Sequence, residues 1–146
     1  MLMDSMPIAV IMQRRLLHHP WMDDTWSAIA VVPDSGGLPP MQKLRCSEDC
    51  ESYLVSGLQL ELHRDGNDAY FENWNAPEPK VFVMWRMQEG RAIPLLASVS
   101  YVEGTRMFDS GESADGVPMP AEIHLWLGRY LQQHYQPRQR RGREHG

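Results

Sequence analysis

The sequence predicts an α+β fold in one domain: about seven mostly antiparallel strands in a curved sheet or small barrel, then a short helix and a C-terminal amphipathic helix. Three observations predict it. Strand-like alternation recurs across residues 7–99, broken by short turns, and short connections imply antiparallel neighbours. Beyond Ser100 the apolar period changes from two to 3.6. The stretch 75–87, N-A-P-E-P-K-V-F-V-M-W-R-M, ends in a run that is apolar on both faces, as a covered central strand is.

Taken in order, residues 7–15 read as a strand with Ile8, Val10 and Met12 on one face. Pro20 and two aspartates make 16–25 a loop, and 26–32 alternates again until Pro-Asp-Ser-Gly-Gly ends it. Residues 38–51 are polar and irregular, a loop with at most a short strand near 42–44. Residues 52–55 form a short strand, and 57–63 a half-buried one with Leu58, Leu60 and Leu62 inward. Arg64-Asp65-Gly66-Asn67 signals a hairpin, so 68–73 is expected to run back as the partner strand. Pro77 and Pro79 lack the ladder donor and make a corner before the central strand, 80–87. A turn at 88–91 leads to a last strand at 93–99.

Ser100 and Glu103 have the spacing of a capping box, opening a helix of about ten residues whose Tyr101, Thr105 and Phe108, or Val102 and Met107, face the sheet. Residues 116–120 read as a rigid linker, with Pro118 or Pro120 near the first turn of the final helix. There Ile123, Trp126, Leu127, Tyr130, Leu131 and His134 share one apolar face, and Pro137 ends the helix.

A chain of 146 residues, 42% hydrophobic and 23% charged, suits one globular domain spanning 1–136. No run reaches the roughly 18 apolar residues of a membrane span, and 1–11 lacks the pattern of a signal peptide, which favours the cytoplasm. The net charge of −5 is uneven: residues 137–146 hold four arginines and one glutamate, leaving −8 on the rest. An acidic body argues against a nucleic-acid grip, and the basic tail reads as a solvated terminus.

Candidate chemistry is sparse. Cys46 and Cys50 with His18 and His19 have the ligand types of a zinc site, but the spacing is loose, so we expect no metal and no cofactor, and two surface thiols instead. Asp23-Asp24 and Glu48-Asp49-Glu51 lie in polar loops and read as solvated charges. Arg86 falls on the strand expected to be covered on both faces, where a guanidinium needs a partner. Glu103, Arg106 and Asp109 follow at helical neighbour spacing. These four read either as an ion-pair network or as an anion-binding contact. Trp21, Tyr70, Phe71, Trp74 and Trp85 could be core or a binding surface, and Trp74 and Trp85 are the chosen binding candidates.

Five segments carry a resemblance: P-I-A-V-I-M-Q-R-R (7–15), W-S-A-I-A-V-V-P-D (26–34), G-L-Q-L-E-L-H-R-D (57–65), the 75–87 stretch, and D-G-V-P-M-P-A-E-I-H-L-W-L (115–127). Across roughly 6–137 the chain resembles the proteobacterial domain-of-unknown-function family numbered 3305. Its members are often encoded beside formate dehydrogenase subunits and maturation proteins. The resemblance implies an accessory role near that enzyme and supplies no catalytic residue. Three functions follow as expectations. The first is an accessory module binding a protein partner, a formate dehydrogenase subunit or maturation factor. The second is a small anionic-ligand-binding protein or enzyme with a pocket between sheet and final helix. The third is a homo-oligomer pairing edge strands. A pleckstrin-homology-like barrel is the alternative fold.

Overall fold

Among the described residues, seven strands fall into two antiparallel sheets. A computed structural model describes residues 1–136; the basic segment 137–146 lies outside the described residues. The first sheet holds β1 (Leu2–Arg15), β2 (Thr25–Pro33), β3 (Met41–Cys46) and β4 (Cys50–His63) in the order β2-β1-β4-β3. The second holds β5 (Lys80–Gln88), β6 (Arg91–Ser98) and β7 (Ser113–Pro118) in the order β6-β5-β7. Three helices complete it: α1 (Asn67–Trp74), α2 (Tyr101–Asp109) and α3 (Ala121–His134). The strands do not meander through a single sheet, since β1 pairs with β4, β5 with β7, and the seven divide in two, but the α+β class and the antiparallel pairing stand. The barrel does not: β4 and β5 form no ladder, because a helix and a proline corner separate them, and the pleckstrin-homology-like alternative goes with it.

Lys80–Gln88 is central in its sheet, as its apolar faces require. Val81, Val83 and Trp85 join Ile8, Val10 and Met12 of β1, Leu60 and Leu62 of β4, and Ile123 and Leu127 of α3 in one buried cluster. On the opposite face Phe82 is buried beneath α2 and Met84 is partly covered by the Ser110 cap of that helix. Gly104 makes that approach possible, since a Cβ there would lie 2.7 Å from the Phe82 ring. The expected inward face of α2 is met in part: the Tyr101 and Phe108 rings lie 5.8 and 6.4 Å from that of Phe82 and Met107 is buried, while Val102 and Thr105 are exposed. Ser100 does cap the helix, its Oγ accepting from the Glu103 N–H at 3.2 Å. The Glu103 carboxylate, however, accepts from the Ser98 hydroxyl, which in turn takes the Ser100 N–H at 3.0 Å.

Three further expectations are corrected. Residues 52–63 are one strand with 50–51, not two: Ser56 and Gly57 bulge opposite Ala9, and Gly57 takes φ +101°. Residues 64–73 are a 3-10 turn and α1, not a hairpin and return strand. The buried positions Asn67, Tyr70 and Asn73 recur at helical spacing, but two of the three are polar, which hides the period. Asn73 is fully buried and fully satisfied: Nδ2 donates to the Lys80 and Val99 carbonyls at 2.7 and 2.9 Å, and Oδ1 accepts the Lys80 N–H at 2.9 Å. Residues 116–120, expected as a linker, belong mostly to β7, an edge strand where glycine and proline are tolerated. Among the described residues no helix is long and apolar enough to cross a membrane.

Candidate functional site

The most apolar opening among the described residues is built from two helices. The α1 helix leaves the end of β4 with Tyr70 buried beneath it; the Tyr70 hydroxyl accepts the His63 N–H at 2.8 Å, and burial pushes its pKa to about 12. Asn67 pins α1 to α3, donating to the His134 carbonyl at 3.1 Å and accepting from the Tyr130 hydroxyl at 2.7 Å. The tie is closed by Tyr135, whose hydroxyl donates to Asp68 at 2.7 Å.

Trp74 and His124 lock the other end. The Trp74 Nε1–H donates to the His124 carbonyl at 3.0 Å, and the His124 Nε2 meets the Trp74 carbonyl at 3.0 Å. A carbonyl only accepts, so this His124 nitrogen carries the proton. The two rings stack at 4.9 Å and 7°. Gly128 makes room for the indole, because a Cβ there would lie 2.9 Å from Trp74 Nε1.

Between these ties lies an open groove of about 440 Å³, lined by Phe71, Trp74, Leu131 and Tyr135 and by the outer face of α3: Leu125, Gly128, Arg129 and Gln132. Phe71 leans on Trp74 and Tyr135 with ring centroids 6.2 and 5.2 Å apart. Leu125 is 56% exposed. Arg129 is exposed and makes no ion pair among the described residues. The groove is therefore aromatic, framed by hydrogen bonds at both ends and marked, among the described residues, by one cation without an ion pair, Arg129. It does not lie where the sequence expected a pocket. The space between sheet and final helix is filled by Ile123, Leu127, Tyr130 and Leu131.

The other candidates scatter. Arg86 sits past the covered part of β5, half-exposed, and pairs with Glu112 rather than with Glu103, Arg106 or Asp109. The expected burial of Arg86 and the expected four-residue network are thus corrected: α2 and its Ser110 cap reach Phe82 and Met84 of β5 and stop short of Arg86. Hydrogen bonding to Arg86 lowers the Glu112 pKa. Glu103 and Arg106 line a separate acidic cleft with Asp65, Asp68 and Glu72. Asp109 is exposed. Trp85 is buried, and its Nε1–H donates at 2.8 Å to Asp115 of the same sheet, whose carboxylate also accepts the Ala28 N–H of β2 at 2.9 Å, so Asp115 stitches the two sheets and the indole holds it in place.

Of the carboxylates expected to be solvated, Asp24 and Glu51 are instead partly buried around Arg14, while Asp23, Glu48 and Asp49 are exposed. Arg14 lies 2.6 Å from Asp24 and 3.3 Å from Glu51, with its guanidinium 5.9 Å from the Trp26 ring. The Asp24 pKa is lowered by the Leu17 N–H and then by Arg14; that of Glu51 is lowered first by the Tyr53 hydroxyl, then by Lys43 and Arg14. Carboxylates held below their ordinary range are poor general acids, which need the opposite shift. His18 and the 47–50 turn do meet, but through the His18 Nε2 and the Glu48 carbonyl at 2.6 Å. Among the described residues no group of three or more metal-ligating side chains is arranged to hold an ion.

Sequence reasoning singled out Phe71 and Trp74 of the groove but not His124, Leu125, Gly128 or Arg129. Those belong to the half of α3 that an amphipathic reading assigns to solvent. The signal available was Leu125 beside Gly128, an apolar residue and a small one on the polar face. A model of the family described as "Protein of unknown function (DUF3305)" matches residues 7–144. The chain belongs to this family. In this DUF3305 protein the match takes in β2 to β7, all three helices and most of β1, and with them every groove residue. Among curated proteins and solved structures, nothing matches the chain.

Proposed function

We propose that this DUF3305 protein is a non-catalytic accessory module that binds a partner protein in the groove between α1 and α3. The observation that carries this is the groove itself: aromatic walls fixed by hydrogen bonds at both ends, an exposed Leu125 and an Arg129 that has no ion pair among the described residues. Rigid aromatic surfaces with an arginine are the composition of binding hot spots. The occupant this chemistry fits is a short apolar segment that carries a carboxylate.

The genomic company of the family supports a formate dehydrogenase subunit or maturation factor as the partner, meeting it in the cytoplasm. The acidic body supports a protein rather than a nucleic acid. An anion clamp by Arg86 and Arg106 has less support, since Arg86 is taken by Glu112 and Arg106 lies in an acidic cleft. Affinity capture from native cells tests the reading. The wild-type chain should retain a dehydrogenase subunit or maturation protein, and Leu125→Glu should lose it. Retention of the same partner by Leu125→Glu would remove the groove from the account.

A further inference from the structure

The loop between β1 and β2 carries a segment with the chemistry the groove asks for. Trp21 is 86% exposed and Met22 58% exposed. Asp23, next in the chain, is exposed and unpaired among the described residues. Two large apolar side chains followed by a free carboxylate match an apolar groove with a free guanidinium.

The loop holds its shape. His19 and Met22 form an isolated β-bridge, and the Trp21 N–H donates to the His19 ring at 3.2 Å. The two rings lie 5.3 Å apart. The flanks are tied down by the Leu17 N–H to Asp24 at 3.2 Å and by His18 to the Glu48 carbonyl. His18 takes φ +53°, a left-handed conformation that a non-glycine residue adopts at a cost. A pre-shaped loop loses little freedom on docking, so more of its contact energy appears as affinity. An indole buries about 150–250 Å² when it is covered, the size of an anchor rather than of a rim contact.

The loop cannot reach its own groove. It sits at the Cys50 end of β4, whereas α1 follows the His63 end, and fourteen strand residues span roughly 45 Å. On these observations, and resting on the groove as a docking surface, we infer that in the absence of a partner protein the 21–23 loop of one copy docks in the α1–α3 groove of a second copy. Trp21 enters between Phe71 and Leu125, and Asp23 pairs with Arg129. The two surfaces differ, so the contact is head to tail. It closes into a ring or continues as a chain, depending on the rotation between copies. Because both occupants use one groove, partner binding and self-association exclude each other.

Sedimentation of the full chain from micromolar to millimolar concentration tests this. The wild-type mass should rise with concentration. Trp21→Ala and Leu125→Glu should each weaken the association by at least about tenfold, as expected for a lost anchor. The decisive sample is their mixture: one variant keeps the groove and the other keeps the loop, so together they should form a dimer that grows no further. Asp23→Arg and Arg129→Asp should each weaken association, and the double variant should restore it. A wild-type monomer at every concentration, or a mixture that stays monomeric, would overturn the inference. If partner capture still depends on Leu125 in that case, the groove reading survives and only the self-docking falls.

Discussion

At the residue scale, single polar side chains fix the frame of the groove. Asn73 joins α1 to the start of β5 and the end of β6 with three hydrogen bonds and no solvent access. Asn73→Leu keeps the volume and strands the Lys80 N–H and two carbonyls. It should cost about 3 kcal/mol, read as a lower urea midpoint with an unchanged slope. The Arg14 cluster makes a second prediction, through pH. Asp24 and Glu51 have folded pKa values below their ordinary 3.8 and 4.5, so their contribution is complete above those values and is lost as pH falls through the folded ones. The urea midpoint should therefore hold from neutral pH to about pH 5 and drop below about pH 4. Arg14→Gln should flatten that drop, and an equally steep fall in the variant would contradict the assignment. Solvent screening at this partly exposed site keeps the effect modest.

At the element scale, legibility depended on whether the buried face was apolar. β5 was readable because both of its faces are hydrophobic where they are covered, and α3 because Ile123, Leu127, Tyr130 and Leu131 recur at helical spacing. α1 was not, since its buried residues are two asparagines, a tyrosine and a small alanine, and Asp65-Gly66 has the chemistry of a turn. β7 was hidden because an edge strand with one buried residue, Val117, has no alternation to show. α2 was placed by its Ser100 cap, and Tyr101, Met107 and Phe108 marked its inner side, but Gly104 was missed, because a glycine leaves no apolar mark on the face that it lets approach Phe82. That contact yields a third prediction. Gly104→Ala gains helix propensity, yet its methyl would meet a rigid ring, so the net change should be a loss of about 1–3 kcal/mol. Adding Phe82→Leu should recover part of it, giving a double variant less destabilised than the sum of the singles in thermal or urea unfolding.

At the scale of the whole molecule, two sheets share one core with α1 and α3, and the helices leave an aromatic groove on the surface they present outward. The core was legible in outline. The groove was not, because it arises where two helices meet that the sequence did not show to be neighbours. The same arrangement sets the exposed Trp21 loop at the far end of β4, so the molecule carries complementary surfaces at opposite ends. The central claim is that the groove is the working surface. Hydrogen exchange of the full chain, with and without the partner recovered by capture, tests it most directly. Slower exchange confined to α1, α3 and Tyr135 is the predicted result. Protection that falls instead on the edges of β2 and β3, with α1 and α3 unchanged, would contradict it.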